Sequence, residues 1–258
     1  MKVVILCGGR GTRLREETEY KPKPLVEVGG RPLLWHLMHI YAKYGFKEFV
    51  LCLGYKGNLI KEYFLNYDAM NNDFTIHLGD RKEIAVHSMH REHDWRVTLA
   101  DTDEESLTGT RIKKIEKYID SDTFMLTYGD GLADVDIKKL LEFHKSHGKI
   151  GTITGVHPSS RFGEIQAEGG RVLSFHEKPS SFSGLINGGF FVFDKKFFRY
   201  LDLEKNQALE AKPLVELSRE GELMVFKHEG FWQCMDTYRE VEILNNLWNS
   251  GKPPWKIW

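Results

Sequence analysis

The run Val3-Val4-Ile5-Leu6-Cys7-Gly8-Gly9-Arg10-Gly11-Thr12-Arg13-Leu14 decides how this chain is read. Its first five residues are apolar and rich in β-branched side chains. Such a run, ended by glycines, predicts a strand buried on both faces, as in a parallel sheet. Gly8, Gly9 and Gly11 then strip the turn of side chains, so that another group can approach the backbone closely. Backbone N–H groups in a turn of this kind form an anion-binding concavity, and Arg13 adds a cation that can fork onto phosphate oxygens. The loop therefore predicts a cradle for a nucleoside triphosphate, with an ordinary glycine-rich βα turn as the plain alternative. Two familiar phosphate motifs do not fit. No Gly-x-x-x-x-Gly-Lys-Ser/Thr run occurs. Leu14 stands where a dinucleotide fingerprint needs its third glycine, and the second strand ends in Gly54-Tyr55 rather than an acid.

Outward from this loop the pattern is β-α-β-α. Pro32 to Tyr44 carries Leu33, Leu34, Leu37, Met38 and Tyr41 at helical spacing and is stopped by Gly45. Glu48 to Leu53 reads as the second strand and Asn58 to Tyr67 as the next helix. This order predicts an α/β fold, a parallel sheet with helices on both faces. Thr123 to Tyr128 reads as a strand ending in Gly129-Asp130-Gly131. Asp-Gly is a hairpin signal, but Asp136 to His144 has helical period, which argues against a hairpin. A carboxylate at the C-terminal end of a buried parallel strand sits where open α/β sheets bind ligands. Asp130 thus becomes a candidate cation ligand.

Whole-chain properties narrow the classes. The 258 residues are 41% hydrophobic and 28% charged, which fits one large α/β unit or one with a smaller lobe. A formal net charge of −1 gives no reason to expect nucleic acid or an anionic membrane as partner. No signal peptide is expected, because the short apolar run from Val3 to Cys7 leads straight into glycines and arginines. No apolar run reaches 18 residues, so no membrane span is expected either. Cys7, Cys52 and Cys234 are few and far apart, and read as free thiols in a reducing cytoplasm. His87, His90 and His93 are spaced by three, but Ser88, Arg91, Glu92 and Asp94 around them read as a solvated loop in preference to a metal site.

A second cluster, Lys21-Pro22-Lys23-Pro24-Leu25, holds two lysines in a stiff proline frame and leads to Gly29-Gly30-Arg31-Pro32-Leu33. Gly-Gly-x-Gly-Thr-Arg-Leu, then Lys-Pro-Lys-Pro-Leu, then Gly-Gly-Arg-Pro-Leu resembles the sugar-1-phosphate nucleotidylyltransferases. These enzymes join a nucleoside triphosphate to a sugar 1-phosphate and release pyrophosphate. The resemblance spans nearly the whole chain, from Gly8 to Asp236. It implies a mixed, mostly parallel, Rossmann-like sheet flanked by helices, with a smaller sugar-binding α+β portion. The chain is then a single unit: residues about 1–150 form a nucleotide-binding half and about 151–258 a sugar-phosphate-binding half. Asp101-Thr102 with Ser106-Leu107-Thr108-Gly109-Thr110-Arg111 looks like the cytidylyl branch, which makes CDP-glucose, rather than the thymidylyl or uridylyl ones. Thr108 alone could be a helix cap.

The resemblance also assigns residues. Leu6, Gly8, Gly9, Arg10, Gly11, Thr12, Arg13, Lys23, Ser106, Thr108, Gly109, Arg111 and Gly129 are expected at the nucleotide, CTP. Cytosine offers an N4 donor with O2 and N3 acceptors, which a carbonyl, a hydroxyl and Arg111 could meet. Arg13, Lys23 and Asp130 are the expected catalytic groups. Tyr128, Gly163, Glu177, Lys178, Asn187, Gly188 and Asp236 are expected around glucose 1-phosphate. Mg²⁺ is the implied cofactor, on Asp130 and Asp236. The Asn187-Gly188-Gly189 kink inside an apolar run independently marks a close backbone approach. The plain readings are a salt-bridged strand end for Glu177-Lys178 and a helix cap for Asp236-Thr237. A homo-oligomer is expected. The aromatic tail, Pro253 to Trp258, is expected to pack on its own chain, with a subunit contact as the alternative.

Overall fold

A computed structural model describes residues 1–79, 84–88, 90–157, 164–168, 171–176 and 184–258. Seven strands make one sheet: β1 (Lys2–Leu6), β2 (Glu48–Leu53), β3 (Arg96–Asp101), β4 (Thr123–Tyr128), β5 (Gly151–Val156), β6 (Ile186–Asp194) and β7 (Leu223–His228). Their order across the sheet is β7-β5-β6-β4-β1-β2-β3. β6 runs antiparallel to both neighbours, β4 and β5, and every other pairing is parallel. The sheet is thus mixed and mostly parallel, as expected.

The opening strand is buried on both faces because its side chains alternate into two cores. Val3, Ile5 and Cys7 join one, against helices α1 (Leu33–Ala42), α4 (Ile137–His147) and α6 (Tyr238–Asn249). Val4 and Leu6 join the other, with Ile112 of α3 (Thr108–Lys114), Phe197, Phe198 and Leu217 of α5 (Lys212–Arg219). Counting from the N-terminus, α2 (Gly57–Leu65) lies between α1 and α3. The single helix expected to run to Tyr67 breaks at Asn66 and restarts as the short helix Tyr67–Asn71.

Trp255, in the tail, is fully buried and its indole N–H donates to His36 Nδ1 at 3.3 Å. The tail therefore packs on its own chain. His36 Nε2 in turn bonds the Val28 carbonyl at 2.8 Å.

The Asp130-Gly131 step is no hairpin. Gly131–Ala133 leaves β4 and pairs antiparallel with Trp232–Cys234, with Cys234 opposite Gly131. Asp136 then caps α4 by accepting from the Lys139 amide at 3.0 Å. Phe74–Ile76 pairs antiparallel with Ile84–Val86, apart from the seven-stranded ladder. Among the described residues, no helix is long and apolar enough to cross a membrane.

Candidate active site

A cleft of about 310 Å³ opens where β1 and β4 end. It gathers Leu6, Gly8, Gly9, Gly11, Thr12, Arg13, Lys23, Ser106, Thr108, Arg111, Tyr128, Gly129, Asp130 and Asp236. Residues up to 230 positions apart in sequence thus meet at the carboxyl edge of the parallel strands, where such sheets place ligands. β6 is reversed, so its N-terminal end, not its C-terminal end, reaches this edge with Asn187 and Gly188.

At the cleft floor, Lys23 opens a one-turn helix, Lys23–Leu25, and the prolines on either side of it, Pro22 and Pro24, fix the backbone. Its Nζ lies 3.0 Å from Asp130 Oδ2 and 2.5 Å from Asp236 Oδ1. Burial opposes the Lys23 charge, but the neighbouring Asp130 and Asp236 carboxylates outweigh it and hold the ammonium above its ordinary pKa. Asp236 is delivered by the Trp232–Cys234 ladder: the Met235 amide donates to the Asp130 carbonyl at 2.7 Å, which sets the two aspartates side by side. Thr237 then caps α6, and Glu240 accepts from the Asp236 and Thr237 amides at 2.6 and 2.9 Å. Capping α6 through Thr237 thus leaves the Asp236 side chain lining the cleft. Arg13 reaches the other Asp236 oxygen, Oδ2, at 2.8 Å.

Arg111, expected at the base, borders the cleft while its guanidinium is engaged with backbone. It is buried, and both Nη groups are committed. One bonds the Leu53 carbonyl, the Thr102 hydroxyl and the Asp103 carbonyl at 3.1, 2.9 and 2.5 Å. The other bonds the Gly8 and Glu104 carbonyls at 3.0 and 2.9 Å. Burial lowers its pKa from the ordinary value. The guanidinium ties together the loops that follow β1, β2 and β3. A Cβ at Gly8 or Gly54 would come within 2.3 Å of it, which is why both positions lack one.

Thr108 does not cap α3. It lies in the first turn, after the N-cap Leu107; its hydroxyl donates to Glu210 Oε2 at 2.9 Å and accepts from the Leu209 amide at 2.7 Å. Gly109 lies away from the cleft lining, where a Cβ would meet the Gln207 carbonyl at 2.9 Å. Arg10 points outward to Glu104 and Glu105.

Next to the cleft, Asn187 Nδ2 donates to the Tyr128 hydroxyl at 3.1 Å and Asn187 Oδ1 accepts from the Gly189 amide at 2.9 Å. The Gly188 carbonyl accepts from the Trp232 indole N–H at 2.8 Å. The Tyr128 hydroxyl itself donates to Glu210. Burial and the Glu210 charge push the Tyr128 phenol above its ordinary pKa. Glu210 therefore joins Thr108 to Tyr128 through its two carboxylate oxygens. Sequence reasoning missed Glu210, which sits in a polar stretch with no local motif. Gly163, Glu177 and Lys178 lie outside the described residues.

Among the described residues, no three His, Cys, Asp or Glu side chains gather as a metal nest. Asp130 and Asp236 nevertheless converge on one point, since both reach Lys23 Nζ. Two carboxylates suit Mg²⁺, which completes its shell with water and phosphate oxygens. His87, His90 and His93 bond instead to Thr75, Asp68 and the His90 carbonyl. His90 and His93 border a larger hollow of about 570 Å³ that contains no predicted site residue.

The family model described as nucleotidyl transferase matches residues 2–237. A glucose-1-phosphate cytidylyltransferase from Salmonella typhi is 49% identical over 261 residues, covering all of both chains. A probable glucose-1-phosphate cytidylyltransferase from Bacillus subtilis is 45% identical, again over the full length of both. The solved structure of HddC from Yersinia pseudotuberculosis complexed with GMP-PN superposes with a TM-score of 0.69 at 25% identity, covering 96% of this chain and 99% of that one.

Proposed function

The chain belongs to the nucleotidyl transferase family, and from that premise we propose that it transfers CMP from CTP to α-D-glucose 1-phosphate, giving CDP-glucose and pyrophosphate. The observation that carries this reading is full-length identity of 49% and 45% to two cytidylyltransferases for that sugar phosphate. A phosphate oxygen of glucose 1-phosphate attacks the α-phosphorus of CTP in line. The new P–O bond forms as the bond to the bridging oxygen of pyrophosphate breaks, and no protein nucleophile is needed. Positioning and charge neutralisation supply the catalysis.

Lys23 neutralises the α-phosphate region and Arg13 the leaving pyrophosphate. The glycine loop brings its backbone against the phosphates, and Ser106 to Thr108 wall the base. Asn187, Gly188, Tyr128 and Glu210 border the sugar, with Gly163, Glu177 and Lys178 assigned there by resemblance. Asp130 and Asp236 would hold Mg²⁺, which when bound would offset phosphate charge. The free state of Cys7, Cys52 and Cys234 supports a cytoplasmic setting. The assembly is read as a homo-oligomer. The chain is read as one unit, with residues about 1–150 serving the nucleotide and about 151–258 the sugar phosphate.

An activity matrix of nucleotides against sugar 1-phosphates, read as pyrophosphate release, tests this function. Fastest turnover with CTP and glucose 1-phosphate is expected. Preference for UTP or dTTP overturns the branch, and no release with any pair makes the chain a nucleotide-sugar sensor.

A further inference from the structure

Both cations expected on phosphate are engaged with the carboxylates expected on metal. Lys23 Nζ bridges Asp130 Oδ2 and Asp236 Oδ1 at 3.0 and 2.5 Å. Arg13 holds the remaining Asp236 oxygen at 2.8 Å. The Lys23 and Asp236 side chains are only 9% and 14% exposed. Two positive and two negative charges thus close a neutral cluster whose inner pair, Lys23 and Asp236, is largely desolvated, while the Arg13 and Asp130 side chains are 74% and 36% exposed. Mg²⁺ binds carboxylate oxygens at about 2.0–2.1 Å. An ion taking these oxygens as ligands would compete with the ammonium for them.

Each ligand arriving alone is penalised. A metal that displaced Lys23 would leave a buried ammonium without its counter-ions. A triphosphate that drew Lys23 and Arg13 away would leave two adjacent carboxylates facing each other. Either result strands charge on Lys23 or on Asp236, the two poorly solvated members, which is costly. When both arrive, the lysine and arginine move to phosphate, the carboxylates move to metal, and no charge is stranded.

We propose that Lys23 competes with the divalent ion for the Asp130–Asp236 pair, and that nucleotide phosphate relieves the competition by recruiting Lys23 and Arg13. Metal and nucleotide then bind with positive coupling, which is reciprocal. Lys23 acts as a placeholder cation as well as a phosphate ligand. The inference rests on the proposed assignment of Asp130 and Asp236 to metal.

Mn²⁺ binding to the full-length protein without nucleotide tests it, by equilibrium dialysis or the loss of the free-ion electron paramagnetic resonance signal. Wild type is expected to bind Mn²⁺ weakly. Lys23→Met is expected to gain one site, at least about tenfold tighter, and Lys23→Gln to behave alike. Adding Asp236→Asn to Lys23→Met removes the gain. Equal Mn²⁺ affinity in wild type and both lysine variants, with folding verified by thermal denaturation, overturns the competition. A gained site that survives both Asp130→Asn and Asp236→Asn overturns the metal assignment instead. Neither result touches the choice of CTP and glucose 1-phosphate, which product analysis decides.

Discussion

Replacing Arg111 with alanine is expected to destabilise the protein and to slow CTP and UTP by the same factor. The buried guanidinium holds four backbone carbonyls, of Gly8, Leu53, Asp103 and Glu104, and the Thr102 hydroxyl. Hydrogen bonds to a charged group contribute about 1.5–3 kcal/mol each. Their sum overshoots, because water can enter the space left by the truncated side chain and meet some of the carbonyls. Each buried acceptor left unpaired costs about 1–3 kcal/mol, so with two or so left dry the loss is about 3–5 kcal/mol. For a chain of this size, each kcal/mol lowers Tm by about 2–4 °C, so a fall of roughly 10 °C is expected. Arg111→Lys keeps the charge but cannot span the same acceptors, and should fall in between. The assay pairs thermal denaturation with kcat/KM for CTP and UTP. An unchanged Tm together with an altered CTP-to-UTP ratio would refute the clamp and return Arg111 to the base.

Asp130→Asn is expected to lower turnover by at least about 10², or roughly 2.7 kcal/mol of barrier; an unimpaired variant, or full wild-type activity in excess EDTA, would remove Asp130 from the metal. Arg13→Ala should lower kcat as well as kcat/KM for CTP, since its charge matters most as pyrophosphate leaves; a rise confined to KM would show uniform binding only. Acid should weaken the fold through His36, whose pKa burial lowers from 6.5 to about 4. The folded state then takes up its proton less readily than the unfolded chain. This contribution is complete above pH 6.5, falls as pH drops from there to about 4, and loses about 2 kcal/mol by pH 5. Urea midpoints that stay level from pH 7 to pH 5 would contradict this.

The opening loop was legible because strand burial, glycine content and Arg13 all pointed one way. Lys23 and Asp130 stood out for similar reasons, one in its proline frame and the other at a strand end. The roles of Arg111 and Thr108 were less legible. Whether an arginine meets a ligand or backbone carbonyls depends on which loops fold around it, and those loops come from residues 8, 53 and 102–104. Glu210 was invisible because its meaning arises only where Thr108 and Tyr128 converge, across roughly 80 to 100 residues of chain. The reversal of β6 was equally hidden, since strand direction leaves no mark in an apolar run such as Phe190 to Phe193.

That reversed strand bears on how the chain assembles. β6 lies between β4 and β5, although it follows both in sequence. The sheet cannot grow by adding strands in chain order: β5 has no place beside β4 until residues some thirty positions later have arrived. A fragment ending near residue 150 would leave β4 as a bare edge, with its Phe124 and Leu126 deprived of Phe193 and Phe191 across the seam. Unpaired apolar edges recruit other chains. The first 150 residues and the remainder are therefore bound into a single cooperative folding event, and a truncated first half is expected to aggregate rather than to bind nucleotide by itself.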